Sequence, residues 1–283
     1  MSTKSDFGWA IPIMRAGYAG RALVYLVVAG FSLWAVSRGG EAQGTTSAFK
    51  SLESTAGGNV VLVAIFLGMV SYAVWRIIDS IFDLEDYGTD GEGMVARAGM
   101  IVTGLIHLGI GFAAVTLIFA GGGGEGDQSA ISKGVTTVLG WPGGRWIVGA
   151  VGLITIGSAL YYLKKAWKRE YRKVLMGNPV TRNFDPALRG GVASQGFVVG
   201  VIGCLIVYAA VTFSGDQAGG MGEAFDWLRG QPYGRVLVGL LCAGLLGFAL
   251  FCAVNAAYRI VPKARQESID SLASRMTEKA KSV

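Results

Sequence analysis

Apolar residues along the chain fall into six long runs that do not alternate with polar positions. Each run is close to the roughly 20 residues that cross about 30 Å of hydrocarbon as a helix. Because lipid offers no partner to an exposed backbone amide, these runs predict an all-α integral membrane protein with six transmembrane helices. The predicted spans are 17–36, 60–82, 98–119, 146–163, 191–213 and 236–258.

An Arg-x-Gly signature opens every second span, at Arg15, Arg97 and Arg189. Each copy is followed by an apolar span, a polar loop and a second apolar span, so the pattern predicts three tandem helical hairpins of parallel orientation. The predicted divisions are an N-terminal lead (1–12), repeat 1 (13–86), repeat 2 (87–176), repeat 3 (177–261) and a cytoplasmic amphipathic tail (262–283).

Small residues recur at matched places in the first helix of each hairpin, seven residues apart. Small side chains let transmembrane backbones approach closely. This stripe predicts that the first helices of the three hairpins pack on one another around a pseudo-threefold axis, with the second helices outside. Its members are Ala22, Gly104 and Gly196, then Ala29, Gly111 and Gly203.

The loops between paired spans contain sparse apolar residues at helical spacing, which predicts a short interfacial helix in each, over 45–54, 129–139 and 223–229. Glycines at matched positions predict a sharp start of the helix that follows, at Gly58, Gly144 and Gly234. The basic stretch 164–173 is expected to prolong the fourth helix, and Asp185 with Pro186 to cap the fifth.

Composition agrees with a membrane protein, since 16% of residues are charged against about 25% in soluble domains. Most of the 25 Lys and Arg residues fall at one end of the predicted spans. By the positive-inside rule this end, with both termini, is cytoplasmic. The formal net charge of +6 therefore indicates contact with anionic lipid head groups rather than nucleic acid.

Six spans, arranged as three hairpins that each begin with Arg-x-Gly, resemble the bacterial domain of unknown function 1206 family over roughly residues 13–261. The third copy departs slightly, with Gly190 where the others have alanine. The resemblance implies a multi-pass protein of the bacterial inner membrane. It implies no activity, so no catalytic residue is carried over from it.

Ionisable residues inside spans are candidates for function because their burial is costly. His107 is the only histidine, and it is interpreted either as a proton relay or as a side chain bonded to a neighbouring group. Arg76 and Asp79 share a helix face and form either a structural pair or a substrate site. Arg21 has no charged counterpart in the other repeats, and Tyr25 is the counterpart of His107. These five residues form the candidate intramembrane polar site.

The signature arginines Arg15, Arg97 and Arg189 allow two interpretations. They anchor each hairpin by bonding carbonyls at the end of a neighbouring helix, or they ring a vestibule that binds phosphate or an anionic lipid head. A lone histidine and three cysteines inside spans favour neither a metal site nor a disulfide framework, and no cofactor motif is present.

The favoured hypothesis is a non-enzymatic module that binds anionic lipids, or a protein partner, at the cytoplasmic face. The alternative is a small channel or carrier for an ion or small anionic solute along the pseudo-threefold axis. A continuous wet cavity lined by Arg21, Tyr25 and His107 would favour transport.

Overall fold

The computed structural model describes residues 7–120 and 130–264, and this part of the chain is helical with a single isolated bridge between Leu175 and Arg259. Six of its helices are long and apolar enough to cross a membrane, which confirms the six predicted spans. They are α1 (Ala10–Ser37), α3 (Gly58–Phe82), α4 (Gly91–Ala120), α6 (Gly144–Trp167), α8 (Asp185–Thr212) and α10 (Gly234–Tyr258).

Four shorter helices complete the described chain, α2 (Thr45–Glu53), α5 (Ala130–Leu139), α7 (Pro179–Asn183) and α9 (Met221–Arg229). Helices α2, α5 and α9 stand where short helices are predicted, so their presence is confirmed, and their place at a membrane interface stays a prediction. We call the end of the bundle that carries them the short-helix end. The opposite end, where α1, α4 and α8 begin, is called the basic end.

The turns that lead from the short helices into the long ones are built alike in all three hairpins. A Cβ atom placed on Gly58, Gly144 or Gly234 would collide with a backbone carbonyl oxygen of the preceding short helix or its end. Only glycine fits such a position, so the predicted sharp helix starts are confirmed.

The long helices pack as neighbours in the order α4, α3, α1, α10, α8, α6. The expected packing of α1, α4 and α8 on one another is therefore wrong, and the pseudo-threefold arrangement is not confirmed. Two helices approach closely where both carry small residues. The glycines that face those of α1 and α8 lie on the second helix of the same hairpin. Thus Gly20 faces Gly68 of α3, and Gly191 faces Gly247 of α10.

The second hairpin differs from the other two. Helices α1 and α3 pack together, as do α8 and α10, but in the described residues α4 and α6 share no comparable interface. Instead, α4 packs on α3 through Gly104 and Gly111, and α6 packs on α8 around Gly152 and Gly203. Helices α4 and α6 therefore stand at the two ends of the row of long helices.

Side chains at the short-helix end form an apolar cluster. Phe49 of α2 and Phe225 of α9 are buried in it beside Val28 and Leu62 of the long helices. The start of α9 also touches the loop before α2, where a Cβ on Gly44 would meet Gly222. This end of the bundle therefore has a tightly packed apolar interior.

Two local predictions at the basic end fail in part or in full. The stretch 164–173 prolongs α6 only to Trp167, because the chain turns at Arg169 with a φ of 54° and continues as a 3-10 turn over Glu170–Val174. Asp185 does not cap α8, since its carboxylate is held by Arg172 and Tyr171 instead. Residues 1–6 of the predicted N-terminal lead, residue 129 of the second predicted short helix and the predicted tail beyond 264 lie outside the described residues.

Candidate functional site

Two arginines from different helices meet at one phenol oxygen near the basic end. Tyr72 of α3 is fully buried. Its Oη accepts hydrogen bonds from Nη1 of Arg21 on α1 at 2.9 Å and from Nε of Arg76, one turn along α3, at 3.0 Å. Two like charges are thus held on either side of a single neutral acceptor.

Arg76 is balanced by carboxylates. Its Nη1 lies 3.3 Å from Oδ2 of Asp79 and 3.8 Å from Oε1 of Glu85, and its Nη2 donates to the Oη of Tyr18 at 3.4 Å. The expected pairing of Arg76 with Asp79 is confirmed. Contact with the loop between α3 and α4 is present as well, through Glu85.

Glu85 links that loop to the end of α10. Its Oε1 accepts from Nε and Nη2 of Arg259 at 2.9 and 2.6 Å, and the two side chains are only 3% and 4% exposed. Burial by itself would raise the pKa of Glu85, but the charges of Arg259 and Arg76 outweigh it and lower the pKa to about 2. Nη1 of Arg259 also donates to Asn255 at 2.6 Å.

The segment after α10 makes further ties at the basic end. Nζ of Lys263 lies 3.1 Å from Oδ2 of Asp83, and the backbone amide of Lys263 donates to the Leu84 carbonyl. The backbone next to Arg259 also pairs with the connection between α6 and α8, since the Met176 amide donates to the Tyr258 carbonyl at 2.9 Å. One short segment therefore joins both connections at this end.

Arg21 is the exception in this network. It is 4% exposed and lies among aromatic rings, with its guanidinium carbon 4.8 Å from the centre of Tyr72, 5.4 Å from Phe248 and 5.8 Å from Tyr25. Its Nε is buried without a hydrogen-bond partner. Among the described residues, no carboxylate forms an ion pair with it.

His107 of α4 also borders Tyr72, with the two ring centres 4.8 Å apart. Its Nδ1 lies 2.7 Å from the Thr103 carbonyl oxygen, which accepts, so Nδ1 carries the hydrogen. The interpretation of His107 as bonded to a neighbouring group is thereby confirmed. Tyr25 stands edge-to-face on Phe248 at 4.7 Å. Four residues of the candidate intramembrane polar site thus lie around Tyr72 and Phe248, and the fifth, Asp79, is joined to them through Arg76.

Helix α6 contributes to the same region. The ring of Tyr162 lies 6.4 Å from that of Phe248, and Lys165 is within electrostatic range of Arg259 and Glu85. In the described part of the chain, four cations therefore face two carboxylates, which leaves the region with an excess of positive charge. The cations are Arg21, Arg76, Lys165 and Arg259, and the carboxylates are Asp79 and Glu85.

The signature arginines do not meet at one mouth. Arg97 donates from Nε to the Ser80 carbonyl at 2.7 Å and from Nη2 to the Ile81 carbonyl at 3.1 Å, at the end of α3. Arg189 donates to the Ala166 carbonyl at 3.2 Å, at the end of α6. Arg15 is exposed on α1. Arg97 and Arg189 thus anchor hairpins as expected, and their contacts do not form a ring around a vestibule.

Sequence reasoning missed Tyr72, Tyr18, Glu85 and Arg259. Tyr72 was detectable, because its matched residues are Ser158 and Phe248 and a position at which the repeats disagree is a candidate. Glu85 lies in a loop outside the spans, and its partner is 174 residues away. No local pattern identifies such a pair.

A family model described as Domain of Unknown Function (DUF1206) matches residues 16–83, 98–169 and 190–259. The chain belongs to the DUF1206 family. The resemblance drawn from the Arg-x-Gly signature is therefore confirmed, as are the three tandem repeats. Each match covers two long helices, so the unit of the family is one hairpin. Glu85 lies just beyond the first match.

The chain is similar to the Uncharacterized protein YxxB of Bacillus subtilis (strain 168), with 24% identity over 259 residues. The similarity covers 89% of this chain and 92% of that relative. No solved structure gives a significant match. Together, the six apolar helices, the family and the bacterial relative identify a multi-pass membrane protein, and neither the family nor the relative carries a named activity.

Proposed function

We propose that this DUF1206 protein is a non-enzymatic membrane module that binds an anionic ligand beside Arg21. The observation that carries the proposal is the buried guanidinium of Arg21, with its Nε unpartnered and without a paired carboxylate among the described residues. An unpaired charge inside a bilayer costs several kcal/mol, on the order of 3 by insertion measurements. An anion bound there would remove that cost.

The chemistry at the site suits a phosphate or carboxylate group. A guanidinium presents a rigid fork of N–H donors that matches two oxygens of such a group, and charge-assisted bonds of this kind are strong. Arg76 stands on the other side of the Tyr72 oxygen. Arginine stays protonated at every physiological pH, so these groups hold anions rather than exchange protons, which supports a binding role over catalysis.

An anionic lipid head group is the favoured source of this ligand. Because α4 and α6 share no interface like those within the other two hairpins, we expect a lipid to enter from the bilayer between them, on the side of His107 and Tyr162. On the charge distribution of the sequence, the basic end faces the cytoplasm and the lipid comes from the inner leaflet. A protein partner at this end stays a prediction.

The second candidate function is a carrier for a small soluble anion. The depth of Arg21 favours it, because Arg21 is the twelfth residue of α1 and lies roughly 17 Å along the helix from its start. The apolar cluster around Phe49 and Phe225 favours the lipid module instead, because a transport path would require this cluster to open.

The test replaces Arg21 by glutamine, which the third repeat carries at the matched position as Gln195. Thermal stability is measured in nanodiscs of phosphatidylcholine with and without phosphatidylglycerol. We expect phosphatidylglycerol to stabilise the wild type and the control Arg15→Gln, and to stabilise Arg21→Gln much less. In phosphatidylcholine alone, Arg21→Gln should be at least as stable as the wild type, since it removes an unpaired charge.

Equal stabilisation of Arg21→Gln and wild type by phosphatidylglycerol would contradict the proposal. The carrier is tested separately, by uptake of phosphate and of small carboxylates into proteoliposomes. Flux that is lost in Arg21→Gln and in His107→Ala would favour the carrier. Flux no greater than in empty liposomes, together with retained lipid binding, would favour the lipid module.

A further inference from the structure

A second, separate groove lies at the basic end between the last turn of α6 and the first turns of α8. It encloses about 470 Å³ and is bordered by Leu163 and Trp167 on one side and by Arg189 and Gly190 on the other. Arg169, where the chain turns after α6, stands at its edge. Arg21 and Tyr72 are not part of it.

A comparison of Arg189 with Arg97, the matched residue of the preceding repeat, shows why Arg189 is available to a ligand. At the matched position, Arg97 uses two nitrogens, Nε and Nη2, on carbonyls at the end of α3. Arg189 uses only Nε, on the Ala166 carbonyl. Its guanidinium carbon lies 5.9 Å from the Trp167 ring, and its terminal nitrogens have no protein acceptor among the described residues.

Arg169 is the second available cation. Its side chain is 42% exposed, and its Nη1 lies 3.9 Å from Oδ2 of Asp185, at the limit of an ion pair. Asp185 is already satisfied, because Arg172 forms two bonds to its oxygens and the Tyr171 hydroxyl donates to Oδ1 at 2.9 Å. The edge of the groove is therefore positively charged.

Apart from the carboxylate of Asp185, the rest of the groove is apolar and open. Leu163 is 41% and Trp167 78% exposed, and a Cβ on Gly190 would meet no atom within 4 Å. An exposed tryptophan at a helix end is typical of the level of lipid head groups. A hydrocarbon chain can therefore lie along the helices below the two arginines.

We propose that this groove binds one anionic phospholipid, with its phosphate between Arg169 and Arg189 and an acyl chain against Leu163. Two guanidinium groups beside an apolar surface match a phosphodiester joined to a hydrocarbon chain. The matched place between α3 and α4 offers no such site, because the counterparts of Trp167 and Arg169 in the first hairpin are Ile81 and Asp83. The site is independent of the ligand proposed at Arg21.

The test is native mass spectrometry of the full chain in detergent, titrated with phosphatidylglycerol or phosphatidylcholine. The variants are Arg169→Gln with Arg189→Gln, and Gly190→Leu, which fills the groove without changing its charge. Arg97→Gln is the matched control. All variants are made in an Arg21→Gln background, which removes the other proposed lipid site. In that background we expect phosphatidylglycerol to bind the double variant and Gly190→Leu at least tenfold more weakly than the Arg21→Gln parent, with the control within twofold.

Unchanged phosphatidylglycerol binding in Gly190→Leu and the double variant would overturn the proposal. So would an equal loss in Arg97→Gln, since this would show general attraction to the basic end. Equal affinity of the wild type for phosphatidylcholine would also overturn it, because the two arginines should select the anionic lipid. Melting curves confirm that each variant is folded, and Gly190→Leu keeps the test valid if the double variant is not.

Discussion

The two ends of the helix bundle differ in the contacts that hold their connections, which are repeated at one end and dissimilar at the other. At the short-helix end the three hairpins are alike, each with a short helix followed by a turn at Gly58, Gly144 or Gly234. At the basic end the connections differ. The first carries Glu85, which binds Arg259 at the end of α10, whereas in the second Asp185 binds the nearby Arg172.

The glycine turns repeat because each needs only local space within one hairpin, so every copy can use the same residue. The ion pairs differ because their residues differ between copies. At the positions matched to Glu85 the other repeats carry Tyr171 and Val261, so the pair of Glu85 with Arg259 occurs once. Divergence at one end leaves a net positive region, in which Arg21 has no paired anion among the described residues.

Among the variants that test this contrast, Glu85→Gln should have the largest effect. Removal of one partner of a buried ion pair leaves the other uncompensated, so we expect the free energy of unfolding to fall by about 4 kcal/mol. Titration with sodium dodecyl sulfate in mixed micelles measures it. Glu92→Gln, at the exposed start of α4, is the control and should change little. A Glu85 variant as stable as this control would mean that the charge pair does not hold the basic end together.

The corresponding test at the short-helix end is Gly144→Ala. The new methyl group would overlap the Val138 carbonyl oxygen and force the turn to shift, which should cost about 2 kcal/mol. The control is Gly157→Ala on the same helix, where a methyl group meets no atom within 4 Å. The same titration measures both. If the two variants were equally stable, the repeated turn would not be a structural requirement.

The smallest expected effect is a dependence on pH that arises at the basic end alone. The pKa of Glu85 is lowered to about 2 from an ordinary 4.5, so its stabilisation is complete above 4.5 and is lost as the pH falls through 2. At pH 3.5 the loss should be about 1 kcal/mol relative to pH 6. Unfolding of wild type and Glu85→Gln at both values measures it. The loss of stability between pH 6 and pH 3.5 should be smaller in Glu85→Gln by this amount. An equal loss in both proteins would mean that groups other than Glu85 cause it.

The pattern of neighbouring residues in the sequence was sufficient to predict some structural features and not others. The six spans, the three short helices and the glycine turns follow from apolar runs and loop punctuation, which depend on neighbours in the chain. The pairing of Arg76 with Asp79 follows from a spacing of three. The partners of the small residues at Gly104 and Gly196 could not be deduced, because a stripe of glycine shows that a helix approaches closely but not which helix does so.

The sequence by itself determined that the protein is a six-helix membrane protein of three hairpins, and it marked Arg21, Tyr25, Arg76, Asp79 and His107 as unusual. Those features depend on hydrophobicity and periodicity along the chain. Only the tertiary structure decided that Tyr72 brings Arg21 and Arg76 together, that Glu85 binds Arg259, and that α4 and α6 stand apart. Each of these depends on how residues far apart in the chain meet in space, which local periodicity does not encode.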